Sequence, residues 1–280
     1  MLSRLILKPL ERLSETMKKS AVSGAYETID VKTRGKDELT EIGRTFNGMM
    51  NKLGSNYKKQ EQFVSNASHE LKTPITVIES YAKLLLRRGF TDEQVAKEAL
   101  NAIVNESGRM NKMIVQMLDL AKNRESIVLT WQRVDVVKLL HHTLSQMQQA
   151  YNRNFELTGE QLANCYTDEQ KLKQLLFIVL DNARKYSEER VVVDVSKEAD
   201  HVVVSVQDFG VGIAADDLPH LFDRFYRVSE DRNRKTGGTG LGLAIAKELS
   251  DLLQIELKVE SIVDKGTCFT LLVPVKEEAL

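Results

Sequence analysis

The sequence predicts a multi-domain protein. Its N-terminal half is all-α, a helical linker and a helical hairpin that assemble as dimeric four-helix bundles, and an α/β sandwich follows. Apolar residues through the first half recur at alternating steps of three and four, the seam of a coiled coil. From about Ser126 that period gives way to β-rich runs interleaved with helical patterns, the signature of a layered α/β unit. At 280 residues the chain has room for two or three such units.

The first seam runs through Ile6, Leu10, Leu13 and Met17. Residues 20–36 interrupt it, with Ser23, Gly24 and Gly35 as turn residues. A second seam passes through Leu39, Ile42, Phe46, Met49 and Leu53, opened by Asp37 and Glu38, whose carboxylates favour a helix N-terminus. Two short amphipathic helices on an extended connector cannot bury their stripes alone, and a parallel dimer of them would. The third seam is Tyr57, Val64, Ala67, Leu71, Ile75, Ile78, Ala82 and Leu85. From Met49 through Leu53 to Tyr57 there are successive steps of four, a stutter that locally unwinds a supercoil.

Gly89 and Phe90 end this helix, and Thr91 with Gln94 reads as a capping box opening another. The new helix carries Ala99, Ala102, Ile103, Met110, Met113, Ile114 and Met117 on one side and reaches about Lys122. Two long helices on a short loop form an antiparallel hairpin, and two copies form a four-helix bundle. Beyond it, strands are expected at 127–133, 191–196, 202–207, 256–261 and 268–273, with helices at 136–150, 169–185 and 243–253. The expected domains are 1–54, 55–125 and 126–277.

Composition excludes several classes. A net charge of −1 gives no electrostatic reason for nucleic acid or an anionic membrane surface as partner. Cys165 and Cys268 lie far apart, so both are expected to be small buried apolar residues in a reducing compartment. No apolar run approaches the roughly 18–20 residues of a membrane span. Residues 2–10 are interrupted by Arg4, Lys8 and Pro9 and lack the apolar core of a signal peptide. The chain as it stands is expected to be soluble.

The segment from Ser68 to Pro74 carries chemistry. At about 100° per residue, His69 lies nearly opposite the stripe of Leu71 and Ile78, so its imidazole is expected to face solvent. Taken alone, such a histidine is a polar surface residue. Its neighbours argue otherwise. Glu70 can accept a hydrogen bond from one ring nitrogen, fixing the tautomer and raising the nucleophilicity of the other. Thr73, one turn on, brings a hydroxyl to the same face. Pro74 removes a helical hydrogen bond just beyond and is expected to bend the rod.

Ser68-His69-Glu70-Leu71-Lys72-Thr73-Pro74 resembles the H-box of the sensor histidine kinases of the HisKA group. The resemblance implies His69 as phosphoacceptor attacking the γ-phosphate of ATP, and Glu70 as general base. It implies Thr73 as the residue that positions water to dephosphorylate a partner response regulator. The region from Ile6 to Leu53 looks like a HAMP linker, with Pro9 in its first helix and Asp37-Glu38 opening its second. A HAMP segment so near Met1 implies the cytoplasmic portion of a bacterial cell-membrane protein whose upstream transmembrane sensor region is absent from this chain.

Further segments follow in the order of the GHKL (Bergerat) ATP-binding fold. Leu180-Asp181-Asn182-Ala183-Arg184-Lys185-Tyr186-Ser187 resembles the N-box. There Asn182 is implied as the Mg²⁺ ligand, Lys185 faces phosphate and Tyr186 lies along the nucleotide. A second asparagine often stands one turn earlier in the family, where this chain has Ile178. In Asp208-Phe209-Gly210-Val211-Gly212, Asp208 would accept the adenine amino group and repel the guanine carbonyl, while Gly210 and Gly212 let backbone approach.

Leu221-Phe222-Asp223-Arg224-Phe225-Tyr226-Arg227 is similar to the F-box that hinges a lid, and Arg227 matches a position that reaches the terminal phosphate. Arg232, Arg234 and Lys235 lie in the lid itself. Gly237-Gly238-Thr239-Gly240-Leu241-Gly242 runs into a helix whose amides suit phosphate. Thr267, in Asp264-Lys265-Gly266-Thr267-Cys268-Phe269, belongs to the closing strand pair. The implied protein is a homodimer that uses ATP and Mg²⁺ and passes phosphoryl to a response regulator receiver domain. A scaffold with a decayed ATP site and a GHKL ATPase of the chaperone or topoisomerase kind are the rival readings. Ile178 is the only support for the first, and the H-box hairpin counts against the second.

Overall fold

The computed structural model describes residues 14–19, 26–30, 38–121, 127–228 and 238–275. The seam positions Ile6, Leu10 and Leu13 lie outside the described residues, as do Pro9, Ser23, Gly24, Gly35, Asp37, Lys122, Arg232, Arg234, Lys235 and Gly237. The chain divides into two units, Met1–Lys72 and Thr73–Leu280.

Residues 14–19 of the first unit are helical, and α1 (Glu38–Arg88) begins there. The second and third predicted seams are thus one continuous helix, because steps of four interrupt a supercoil but not the i to i+4 hydrogen bonding. Phe46 and Met50 are buried, whereas Ile42, Met49 and Leu53 remain about half exposed. The connector at residues 26–30 is tied to this helix through one side chain. Asn47 Oδ1 accepts the Ile29 N–H at 2.8 Å, and Asn47 Nδ2 donates to the Ile29 carbonyl at 2.8 Å. A side-chain amide thereby supplies what a neighbouring strand would otherwise provide. Gly54 admits the ring of Tyr26: a Cβ there would lie 3.2 Å from Tyr26 Cβ.

The helix runs through Pro74, which is buried, so the Glu70 carbonyl lacks the amide that any other residue would donate. Gly89 ends it at φ +65°, its N–H donating to the Leu85 carbonyl at 2.8 Å. The next helix, α2 (Glu93–Ala121), is capped differently from the expectation. Asp92, not Thr91, is the N-cap, its Oδ1 accepting the Val95 N–H at 3.1 Å. The Thr91 hydroxyl donates back to the Arg88 carbonyl, and Gln94 turns to Glu98. An ionised carboxylate one residue later outcompetes a hydroxyl for the amide of the first turn.

Among the described residues, two sheets and three α-helices follow, with one short 3-10 turn at Leu218–His220. They are β1 (Trp131–Asp135), α3 (Val136–Tyr151), β2 (Phe155–Gly159), β3 (Asn164–Asp168), α4 (Glu169–Tyr186), β4 (Val191–Lys197), β5 (His201–Gln207), α5 (Gly242–Leu252), β6 (Glu256–Ile262) and β7 (Gly266–Pro274). The large sheet has the order β2-β4-β5-β7-β6, with β2 and β4 parallel and the other neighbours antiparallel. Its covered face alternates as a half-buried sheet should: Val193 and Val195, Val202 and Val204, and Phe269 and Leu271 are fully buried. Leu172, Leu175, Leu176 and Val179 on α4 and Leu140 on α3 are buried in the helical layer. Each such side chain contributes about 1.5–3 kcal/mol relative to exposure.

β2 and β3 have no counterpart in the sequence reading. Each has only five residues, and their polar content hides the period. β1 pairs antiparallel with β3 from Trp131↔Asp168 to Asp135↔Asn164, and it starts four residues later than expected. Ladder pairing stops at Asp168, whose Oδ2 instead accepts the Thr130 N–H at 2.9 Å while its Oδ1 caps α4 through Lys171 N–H. Cys165 is buried as expected, and burial pushes its thiol up to about 12, whereas Cys268 is only half-buried, on the β7 strand beside Thr270.

Replacing Asn47 by Ala removes both hydrogen bonds to Ile29. Hydrogen exchange at residues 26–30 should then accelerate about tenfold or more, with β4 and β5 unchanged. Unaltered exchange at Ile29 would show that the connector is held by something else.

Candidate active site

The candidate site lies where β5 ends. Asp208 follows the last β5–β7 pair, Gln207↔Cys268, and its N–H extends the ladder by donating to the Thr267 carbonyl at 2.9 Å. The carboxylate then folds back. Oδ1 accepts the Gly210 N–H at 2.9 Å and the Thr267 N–H at 3.2 Å, which fixes its orientation by backbone alone. Its second oxygen has no hydrogen-bond partner among the described residues. Burial raises the Asp208 pKa, and the two amides oppose that rise. Below the unfolded-state pKa both states hold the proton; as pH rises through the folded value, the fold loses that contribution. Ionisation of Asp208 therefore comes at some cost to stability.

Thr267 is locked in turn, its hydroxyl 2.8 Å from that of Ser261, which donates to the Gly266 carbonyl at 2.9 Å and accepts the Ile213 N–H at 2.8 Å. Gly210 sits so close to the end of α4 that a Cβ would fall 1.9 Å from the Tyr186 carbonyl oxygen. Gly212 lies in the same turn, at φ +64°.

On α4, Ile178, Asn182 and Tyr186 form a stripe at steps of four. This stripe faces the glycine segment: a Cβ on Gly238 would stand 3.5 Å from the Tyr186 hydroxyl, and one on Gly242 3.7 Å from Ile178 Cγ2. The apolar Ile178 thus packs against the start of α5. The half-buried Asn182 amide makes no hydrogen bond among the described residues.

Lys185 is already paired, its Nζ 2.6 Å from Asp181 Oδ2, while Arg184 takes Asp181 Oδ1 at 2.7 Å and lies 4.0 Å over the Tyr151 ring. Burial alone would raise the Asp181 pKa, but Lys185 and Arg184 together hold it below the usual carboxylate value. Asp181 escaped the sequence reading, although an acid three and four residues before two cations on a helix is a legible signal.

Phe225, in left-handed backbone at φ +65°, donates its N–H to the Gly240 carbonyl at 2.9 Å, which joins the F-box-like segment to the glycine segment. Arg227 is half-buried and its Nε has no partner among the described residues. Thr239 is buried, Leu241 is fully buried and precedes Gly242, the first residue of α5. On α1, in the first unit, His69 is exposed and Glu70 half-buried; Thr73, exposed, opens the second unit.

ATP with Mg²⁺ fits these residues. A buried acceptor offers one free oxygen, backbone approaches at Gly210 leave no room for a side chain, and the Asn182 amide and Arg227 Nε lack partners among the described residues. No cluster of three or more His, Cys, Asp or Glu gathers as a metal cage among the described residues, so one amide oxygen suits a cation that takes most of its shell from phosphate and water. Substitution separates the glycines. Gly210→Ala should abolish binding of adenine nucleotides by calorimetry, because the backbone of Tyr186 must move. Gly238→Ala, in ordinary contact only, should bind within a few-fold of the parent, and equal loss in both would contradict the cradle.

Comparison with known proteins agrees with this architecture. Residues 167–277 match the family described as Histidine kinase-, DNA gyrase B-, and HSP90-like ATPase, residues 59–126 the His Kinase A (phospho-acceptor) domain, and residues 1–55 the HAMP domain. The chain is 42% identical over 272 residues to Sensor histidine kinase YkoH of Bacillus subtilis (strain 168), covering 97% of this chain and 60% of that protein. It is 32% identical over 273 residues to Signal transduction histidine-protein kinase ArlS of Staphylococcus aureus (strain USA300), covering 95% and 60%. The chain therefore spans less than two thirds of the length of these relatives. Among solved structures, histidine kinase ThkA in complex with response regulator protein TrrA aligns at TM-score 0.64 with 20% identity, over 80% of this chain and 66% of that one, a likeness of fold. No helix among the described residues is long and apolar enough to cross a membrane. With these domains matched in this order around the residues described above, the chain belongs to the HAMP-containing sensor histidine kinases of two-component systems.

Proposed function

We propose that this chain is an ATP-dependent protein histidine kinase that phosphorylates its own His69 and then transfers the phosphoryl group to an aspartate of a response regulator. The observation that carries the reading is the Asp208 carboxylate, held by the Gly210 and Thr267 amides beside a glycine cradle, in a chain whose α1 leaves His69 exposed. Asp208 reads the adenine amino group. Gly210, Gly212 and Thr267 form the wall beside it, and Tyr186 flanks the nucleotide. Gly238, Thr239, Gly240, Leu241 and Gly242 offer amides and a hydroxyl to phosphate. Lys185 and Arg227 supply cationic charge. Mg²⁺, held through Asn182, neutralises triphosphate charge when bound.

In the transfer, one His69 ring nitrogen forms a bond to the γ-phosphorus while the bond from that phosphorus to the bridging oxygen breaks, and ADP leaves with the electron pair. Glu70 accepts the proton from the other ring nitrogen, so the imidazole carries no surplus charge once phosphorylated. Positioning and charge neutralisation are the main contributions of the protein to such a step. A related kinase has been solved in complex with a response regulator protein, which supports a receiver-domain partner here. Thr73, on the same helix, orients the water for the reverse task of dephosphorylating that regulator.

The active form is a homodimer. On α2, Val104, Val115 and Leu118 are half or more exposed, an apolar stripe that a second copy would cover. The functional division is a HAMP linker at 1–54, a dimerisation and phosphoacceptor domain at 55–125 and a catalytic domain at 126–277. The HAMP match supports a place on the cytoplasmic side of a bacterial cell membrane, relaying movement from a transmembrane sensor region.

Incubation with γ-labelled ATP and Mg²⁺ should give acid-labile, alkali-stable label on the chain. That label should vanish in His69→Gln, which should still bind nucleotide. Label that survives the substitution would refute the assignment. Thr73→Ala should slow release of phosphate from a phosphorylated regulator about tenfold, with His69→Gln retaining that release; loss in both alike would separate Thr73 from the reaction. One residue inserted after Gly54 should rotate the downstream part of α1 by about 100° and alter the labelling rate. Indifference to the insertion would contradict a relay through the helix.

A further inference from the structure

The Thr239 hydroxyl, one of the groups assigned above to phosphate, is in use elsewhere. Its Oγ1 donates to Gln116 Oε1 at 2.8 Å, a contact between residues 123 positions apart. The same Oγ1 accepts the Leu241 N–H at 3.3 Å. A threonine hydroxyl has a single proton to donate, and a phosphate oxygen can only accept. In this arrangement, therefore, the hydroxyl proton is committed to a glutamine and the Leu241 amide at the start of α5 is committed to the hydroxyl. Both would otherwise be available to an anion.

Gln116 is not a solvated surface glutamine. It is half-buried on α2, with the fully buried Met113 one turn before it and the buried Leu120 one turn after. That helix packs against α5, and Thr239 at the contact is only 8% exposed. The bond is thus sheltered from water, where a neutral hydrogen bond is worth more than at the surface.

Resting on the nucleotide reading above, we propose that Gln116 is a positioning residue: it latches the phosphate-binding segment to the hairpin, so that α2 and the phosphate groups of ATP compete for the Thr239 hydroxyl. The latched conformer lowers the apparent affinity for triphosphate by the fraction of molecules that occupy it. By linkage, nucleotide binding loosens the hold of the segment on α2, and any displacement of α2 changes the affinity for nucleotide by the same factor. The adenine recess at Asp208 has no part in the latch.

The test is calorimetric titration of the full chain, unsubstituted and as Gln116→Ala and Gln116→Met, with a non-hydrolysable ATP analogue plus Mg²⁺ and separately with adenosine. Both variants remove the acceptor, and Met keeps the length and packing of the side chain. The expected result is a roughly three- to tenfold gain in affinity for the analogue in both variants, with adenosine affinity unchanged. Unchanged or weaker binding of the analogue overturns the latch, as does an equal shift for adenosine, which would mark a general change in packing. Failure of the unsubstituted chain to bind either ligand overturns the nucleotide reading and the latch with it.

Discussion

The site depends on a carboxylate whose aim is set entirely by backbone. Asp208 closes the β5–β7 ladder with its own N–H and takes back the N–H of Thr267, so the residue that ends the strand also fixes the direction of its own side chain. A second amide, from Gly210, comes from the turn that follows. No rotamer search or neighbouring side chain is involved, and the ordering entropy is spent when the sheet folds rather than when nucleotide arrives. Gly210 and Thr267 therefore hold the acid in place through their backbone. Burial raises the acid's pKa, and the two backbone amides oppose that rise.

Charge on α4 is arranged with similar economy. The stripe of Ile178, Asn182 and Tyr186 faces the glycine segment, while Asp181 gathers Lys185 and Arg184. Lys185 is therefore not a loose cation awaiting phosphate. It is held at 2.6 Å by a mostly buried carboxylate. Ile178, where an asparagine often stands in this family, packs on the start of α5 and leaves Asn182 as the amide facing the segment. The Thr239 hydroxyl is likewise satisfied internally, by Gln116.

Much of this was legible in the sequence, for identifiable reasons. β4 and β5 are runs of valine, and α1 and α2 carry long apolar seams at helical spacing, so these elements declare themselves. Asp208, Gly210 and Thr267, named on motif alone, are brought into direct contact. Local competition was harder to read. Thr91 and Asp92 both qualify as a cap, and only geometry shows that the carboxylate takes the amide. β2 and β3 are short and polar, and their pairing to distant strands, not their composition, makes them strands. Asn47 and Gln116 were invisible because each acts on a backbone or hydroxyl brought near by the fold, and no spacing along the chain encodes that. Val64 and Ile75 on α1 and Val104, Val115 and Leu118 on α2 remain half or more exposed.

The central claim is that Asp208 reads adenine through the oxygen its backbone partners leave open. The direct measurement is a pair of dissociation constants, for ATP and for GTP, on the unsubstituted chain and on Asp208→Asn. The account predicts at least ~100-fold preference for ATP, since a site built to accept an amino proton repels a carbonyl. It predicts that the preference collapses in the variant. Equal affinities for the two nucleotides, or a preference that persists without the carboxylate, would contradict it.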